Sequence, residues 1–202
     1  MPSNPIFRRS FMATALAGLG ASLLPLPALA LSEASATKLV DSVVADINRV
    51  IASGKSESAM IRDFEKIFVK YADVPIMARY ALGADARSAS KSQLNQFTKA
   101  FQGYIARKYG KRFREFIGGR IEVKSARPIK AGYEVKTIAY LRGESPFDVT
   151  FLVSGKSGKD KFFNMFVEGV NMLLTERTEI GAMLDQRGGN LDKLIADLPN
   201  AG

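Results

Sequence analysis

Few side chains in this sequence offer chemistry. Neither Cys nor His occurs among the 202 residues, which removes thiol nucleophiles, disulfides, Cys/His metal sites and imidazole acid/base devices. Gly155-Lys156-Ser157 and Gly54-Lys55-Ser56 have the ending of a phosphate-binding loop, but Thr150 and Arg49 stand where such a loop needs its first glycine. Both read as turns. Glu168 borders a run of large apolar residues and is the candidate for a buried carboxylate with a raised pKa, as a general base requires. No nucleophile, ligand cluster or second catalytic group accompanies it, so a structural carboxylate paired with a base such as Arg177 is the preferred reading. An enzyme is not expected.

The other chemistry-bearing stretch is basic. Arg107, Lys108, Lys111, Arg112, Arg114 and Arg120 interleave with Tyr109, Phe113 and Phe116. This composition fits a nucleic-acid platform, an anionic lipid or protein surface, or a solvated helix face. The aromatics fall on the stripe that should face a core, which leaves the bases outside. The formal charge of +9 also suggests an anionic partner, although excess charge on small domains serves solubility too.

The first thirty residues are set apart from the fold. Arg8-Arg9-Ser10-Phe11-Met12 precedes an apolar run, Ala13 to Leu24, then Pro25, Pro27 and the small-residue site Ala28-Leu29-Ala30. This is the pattern of a cleavable export signal over residues 1–30. The paired arginines resemble a twin-arginine signal; a general secretory signal with a chance Arg pair is the alternative. A retained transmembrane anchor is disfavoured, because the run is twelve residues and a spanning helix needs about twenty. Without cysteine there is no lipoprotein anchor, so the mature chain from about Leu31 is expected to be exported, unanchored and soluble. It loses two arginines and no acid, leaving 9 − 2 = +7. Export argues against a nucleic-acid partner.

The elements that must position these residues come in two blocks. Leu39, Val43, Ile47, Val50 and Ile51 mark an amphipathic helix from about Ser35 to Ala52, stopped by Gly54. Ser56-Glu57-Ser58 can cap a second, with Met60, Ile61, Phe64, Ile67, Phe68 and Tyr71 as its stripe. Asp73 caps Val74 to Leu82, with Pro75 in the first turn and Gly83 as the stop. A longer helix from Ser90 or Lys91 carries Leu94, Phe97, Phe101, Tyr104, Ile105, Tyr109, Phe113, Phe116 and Ile117, with Gly110 a candidate bend and Gly118-Gly119 its end.

From Arg120 the period becomes two. Ile121–Ser125, Tyr133–Arg142, Phe147–Ser154 and Lys161–Gly169 read as strands with short connections, hence antiparallel. Tyr133, Val135, Thr137, Ala139 and Leu141 share one face, as do Phe147, Val149, Phe151 and Val153. The fourth strand is apolar on both faces, with Phe163, Met165 and Val167 on one and Phe162 and Phe166 on the other. A helix follows Gly169 through Met172, Leu173, Ile180, Met183 and Leu184, and Asn190 caps a last one to Leu198. The expected fold is a single α+β domain over 31–202, with helices packed on one antiparallel sheet.

Asp73-Val74-Pro75-Ile76-Met77-Ala78-Arg79-Tyr80-Ala81-Leu82-Gly83, the Gln96-Phe97-Thr98-Lys99-Ala100-Phe101 helix, and Val167-Glu168-Gly169-Val170 followed by Arg177 resemble the MlaC family, also called toluene-tolerance proteins. The resemblance runs from about Leu31 to Leu198. The family usually has Trp at Asp160, Asp at Asn164, Ser at Asn171 and Tyr at Glu176, so local contacts there differ.

The resemblance implies a curved, nuclear-transport-factor-like sheet that packs with helices around an apolar cavity. It implies a periplasmic phospholipid carrier between an inner-membrane ABC-type transporter complex and an outer-membrane lipoprotein–porin complex, maintaining outer-membrane asymmetry. Phospholipid would be the cargo, with no cofactor, no metal and a monomeric chain. Each apolar stripe taken alone reads as core. On the resemblance, the candidates for acyl-chain contact are Phe64, Met77, Phe97, Phe101, Tyr104, Val135, Val149, Phe151, Phe163, Met165, Val167, Leu173 and Leu184. Arg107, Lys111 and Arg114, on one helical face, are candidates for meeting lipid phosphate or an acidic partner. Glu168, Gly169 and Arg177 would hold the corner between the fourth strand and its helix. Two other classes stay open: a small-ligand enzyme, for which only Glu168 is available, and an adaptor that uses the stripes purely as core.

Overall fold

The computed structural model describes residues 31–111, 117 and 119–202. The export-signal residues Arg8, Arg9 and Ala30, and also Phe113, Arg114 and Phe116, lie outside the described residues. Among these, six α-helices pack against one five-stranded sheet: α1 Glu33–Ile51, α2 Glu57–Tyr71, α3 Val74–Leu82, α4 Lys91–Gly110, β1 Arg120–Ile129, β2 Gly132–Tyr140, β3 Phe147–Ser154, β4 Lys161–Val167, β5 Val170–Asn171, α5 Met172–Asp185 and α6 Leu191–Asp197. Short 3₁₀ turns occupy Gly83–Arg87 and Leu198–Asn200.

Capping chemistry sets most helix starts. Ser32 and Ser35 form a reciprocal capping box on α1, and Ser90 and Gln93 form another on α4, each satisfying first-turn N–H groups that have no helical partner. Asn171 and Asn190 accept from Leu174 and Lys193 to open α5 and α6. Ser56 occupies the cap position of α2 but its side chain makes no capping bond, contrary to the sequence expectation.

The long fourth helix ends at Gly110 rather than at Ile117, which sits in a turn and is 52% exposed. A side chain at Gly110 would stand 2.9 Å from Cγ1 of Ile61, so this glycine lets α4 lie close against α2. Glycine also weakens a helix interior by about 1 kcal/mol.

The sheet is wholly antiparallel in the order β1-β2-β3-β4-β5. Pairs Val135↔Phe151 and Thr137↔Val149 put one alternate set on the buried face. Thr137 is tolerated there because its hydroxyl donates to the Val149 carbonyl at 2.8 Å. β1 continues past Ser125 to Ile129, because a bulge between Val123 and Ser125 lets the ladder resume. Pro128 is accommodated because β1 is an edge strand. β4 stops at Val167 instead of reaching Gly169: Glu168 (φ 48°) and Gly169 (φ 79°) form a two-residue turn that pairs Val167 with Val170, the left-handed geometry of a tight hairpin.

A second bulge, between Leu152 and Val153 on the β3–β4 ladder, pairs Leu152 with Asn164 and Val153 with Phe162, leaving Phe163 without an opposite number. The face parity of β4 therefore switches at Phe163. α1 packs on the inner face of β1, β2 and β3, α2 lies against α1 and α4, and α3 bridges α4 and α5. The α2–α3 junction is tied to the sheet by the Asp73 N–H, which donates to the Phe162 carbonyl at 2.8 Å.

Candidate functional site

Because the sheet and the helices meet along only part of the inner face, they leave a cavity of about 560 Å³. Its wall is built from the apolar stripes in turn: Val43 and Ile47 of α1, Phe64, Ile67 and Phe68 of α2, Met77 of α3, Ile105 and Tyr109 of α4, Ile121 of β1, Val149 and Phe151 of β3, Phe162, Met165 and Val167 of β4, and Met172 and Leu173 of α5. Phe162 anchors the aromatic part, edge-on to Phe151 at 5.6 Å between centroids and tilted against Phe68 at 6.2 Å. Leu141, Glu144, Phe147, Asn164, Glu168, Val170 and Glu176 complete the lining. Among the lining residues Glu144, Glu168 and Val170 are exposed, which places the mouth at the β4–β5 turn and the loop before β3.

Of the residues expected to touch a bound chain, Phe64, Met77, Val149, Phe151, Met165, Val167 and Leu173 stand on this wall. Phe97, Phe101, Tyr104, Val135 and Leu184 do not; they are buried at 3% exposure or less in solid core. Phe97 and Phe101 stack at 5.8 Å within α4, packed helix to helix rather than against space. Phe163 is also off the wall: it is the bulged residue, and the parity switch brings Phe162 to the cavity in its place.

The basic candidates are placed elsewhere. Arg107 donates to the carbonyls of Ala201 (3.1 Å) and Leu198 (2.6 Å), and Lys111 to that of Gly202 at 2.5 Å. Both pin the C-terminal segment onto α4. Arg114 lies outside the described residues. The expected corner clamp is corrected as well. Among the described residues no ion pair joins Glu168 to Arg177; the Arg177 guanidinium lies 5.2 Å from the Tyr80 ring centroid and would meet a side chain at Gly83.

An amide pair holds the corner instead. Asn164 Nδ2 donates to Asn171 Oδ1 at 2.9 Å, Asn164 Oδ1 accepts from the Leu173 N–H at 3.2 Å, and Asn171 Oδ1 caps Leu174. One short network thus closes β4 onto the start of α5 beside the cavity.

Behind the wall lies a charged cluster. Glu176 is 2% exposed and lines the cavity. Its Oε1 accepts from Lys108 Nζ at 2.8 Å and from the Tyr109 hydroxyl; Lys108 also reaches Glu179 at 2.5 Å, and Tyr104 donates to Glu179 at 2.8 Å. Burial disfavours the Lys108 ammonium, but its bonds to the two carboxylates outweigh this and hold its pKa above the ordinary lysine value. Burial raises the Tyr104 phenol, and the neighbouring carboxylates push it further in the same direction. Burial alone would raise Glu179; hydrogen bonds from Lys108 and Tyr104 bring it below the ordinary value.

Sequence reasoning did not place Phe162, Glu176 or the Asn164–Asn171 pair in the site. For three of these four the signal was present: Asn164, Asn171 and Glu176 are departures from the pattern the chain otherwise resembles. The wall itself holds apolar side chains, three carboxylates and the Asn164 amide, a surface suited to binding an apolar molecule. Among the described residues no group of Asp and Glu is arranged to hold a metal ion, and no helix is long and apolar enough to cross a membrane.

A solved structure with the same fold is described as a phospholipid-binding protein from Ralstonia solanacearum in complex with a phospholipid. It matches with a TM-score of 0.68 at 19% identity, over 81% of this chain and 98% of that one. The family model described as MlaC protein matches residues 37–200. That match spans α1 to the C-terminal turn, every element that builds the cavity, and the chain belongs to the MlaC family.

Proposed function

We propose that this protein is a periplasmic phospholipid carrier, moving lipid between an inner-membrane ABC-type transporter complex and an outer-membrane lipoprotein–porin complex and so maintaining outer-membrane asymmetry. The observation that carries the reading is the open apolar cavity of about 560 Å³, walled by both sheet and helices. Membership of the MlaC family and a shared fold with a phospholipid-bound protein support it.

Energetics dictate how such a carrier works. At about 0.8 kcal/mol per CH₂, releasing one sixteen-carbon chain into water costs on the order of 12 kcal/mol. Spontaneous release would be too slow to serve transport. Lipid therefore passes between apolar environments while the mouth is docked on a membrane complex, so the net difference stays within a few kcal/mol. No bond is made or broken, and the function requires no catalytic group.

Organic extraction of protein purified from the periplasm tests the reading. A carrier yields about one phospholipid per chain; a chain that uses its stripes only as core yields none, and that result would end the proposal.

A further inference from the structure

Single exposed apolar side chains are ordinary on a protein surface, but a cluster of them beside a cavity mouth is not. Six large apolar side chains stand exposed among the described residues, and four of these, Ile76 (40%), Tyr80 (39%), Val170 (56%) and Leu174 (50%), belong to α3, β5 and the first turn of α5. The three elements are neighbours. The Asp73 N–H donates to the Phe162 carbonyl and the Leu173 N–H to Asn164 Oδ1, so α3 and α5 both start from β4, two residues apart on that strand. Further along, the Arg177 guanidinium lies 5.2 Å from the Tyr80 ring centroid. Ile76 is one turn before Tyr80 and Leu174 one turn before Arg177, which puts all four on adjoining helix faces. The patch runs on into the cavity. Val170 itself lines it, as do Met77 beside Ile76 and Met172 and Leu173 beside Leu174, so apolar surface is continuous from outside the mouth to the inner wall. Two cations border the patch: Arg79 and Arg177 are exposed, and neither is in an ion pair among the described residues. Glu168, two residues from Val170, is an acid at the same edge.

An apolar surface bordered by guanidinium groups without carboxylate partners matches a phospholipid bilayer. Lipid phosphates take the cations, while aliphatic and aromatic side chains enter the boundary between headgroups and acyl chains. A protein partner would cover the apolar centre as well, but the continuity with the cavity favours lipid. An acyl chain crossing this face stays on apolar surface from bilayer to inner wall, and so avoids the contact with water that makes free release slow. We propose that the α3–α5 face is a membrane-docking surface that seats the cavity mouth on an anionic phospholipid bilayer, with Ile76, Tyr80, Val170 and Leu174 entering the interface and Arg79 and Arg177 meeting lipid phosphates. The inference rests on the phospholipid-carrier reading and adds to it the surface through which the carrier meets the membrane. Four partly exposed side chains bury little area, so the attachment is reversible, as a carrier needs. The net charge of the chain from Leu31, 9 − 2 = +7, adds a long-range attraction that salt screens.

The test floats protein purified from the periplasm on a density gradient with two kinds of vesicle. One is dioleoyl phosphatidylethanolamine with dioleoyl phosphatidylglycerol at about three to one, the other dioleoyl phosphatidylcholine alone. At low salt the fraction bound to the anionic vesicles should exceed that on phosphatidylcholine about fivefold or more, and should fall as salt is raised toward about 0.3 M. Ile76→Ser combined with Leu174→Ser should lower anionic-vesicle binding about fivefold. Arg79→Gln combined with Arg177→Gln should bring it down to the phosphatidylcholine level. All four positions are exposed, so thermal midpoints should stay close to that of the unaltered protein. Absence of flotation with either vesicle overturns the inference and leaves the face to a protein partner. Binding unchanged in both double variants overturns it as well, since another surface then carries the contact. Organic extraction of the same preparation reads the carrier proposal separately: phospholipid present without flotation overturns the docking surface alone, and phospholipid absent overturns the carrier.

Discussion

Asn164 Nδ2 donates to Asn171 Oδ1 at 2.9 Å, joining the last full strand to the first turn of α5 where the cavity wall turns its corner. Each partner has a second duty, Asn164 toward the Leu173 N–H and Asn171 toward that of Leu174. Asn164→Asp keeps the acceptor for Leu173 but sets a second acceptor against Asn171 Oδ1. It should destabilise by about 1–2 kcal/mol. Adding Asn171→Ser, whose hydroxyl can donate to the aspartate and which still caps helices, should recover most of the loss. Urea unfolding of the four members of this cycle gives the coupling directly, and additive losses would show that the pair does not act as a unit.

Cavity wall and solid core respond differently to added volume. Val149→Trp projects into the cavity, so the fold should persist with its thermal midpoint little changed while bound phospholipid drops severalfold. Val135, on the neighbouring strand and fully buried, has no such space, and Val135→Trp should cost about 3 kcal/mol or prevent folding. Thermal unfolding with lipid extraction on both variants checks the contrast; equal destabilisation would mean that the space at Val149 is not available.

The turn at the mouth stores a little strain. Glu168 holds φ at 48°, which costs a non-glycine residue roughly 1 kcal/mol. Glu168→Gly should therefore stabilise, offset in part by the freedom glycine regains on unfolding. Gly169→Ala should destabilise by about 1 kcal/mol on conformational grounds alone, because nothing lies within 4 Å of an added Cβ. Chemical denaturation resolves both signs, and a neutral Gly169→Ala would contradict the assigned turn.

Acid should loosen the α1–α2 contact. Asp46 accepts from Tyr71, Lys70 and Arg49, and these bonds, led by that from Tyr71, lower its pKa from 3.8 to about 2. The folded value lies below the unfolded one, so the contribution is complete above about pH 4 and is lost as pH falls toward 2. Glu122 is lowered to about 2 as well, so total stability alone is not diagnostic. The difference between the unaltered protein and Asp46→Asn should shrink through that window; a constant difference from pH 7 to 2 would refute the linkage.

How far the sequence reaches is clear from particular residues. Ser90 with Gln93, Asp73 with Pro75, Asn190 and the stripes of α1 and α2 announce their helices through local chemistry. The period-two runs do the same for β2 and β3. Two things depend on contacts far along the chain. The need for a glycine at 110 comes from Ile61, some fifty residues away, which a side chain there would meet, and the bulge at Phe163 is a property of the β3–β4 pair that exchanges Phe162 for Phe163 at the wall. Core and cavity are a third case. Periodicity reports that a face is covered and not whether the cover is protein or space, so Phe101 and Phe151 look alike in sequence and differ in the molecule.

The cavity also has a mechanical consequence. Whatever part of the roughly 560 Å³ cavity its apolar wall keeps dry makes the empty protein bulkier than its atoms require, and pressure favours whichever state eliminates that volume. Occupied and empty forms should thus part company under hydrostatic compression, the empty one yielding first, so the contents of the cavity act as an incompressible filler as well as cargo.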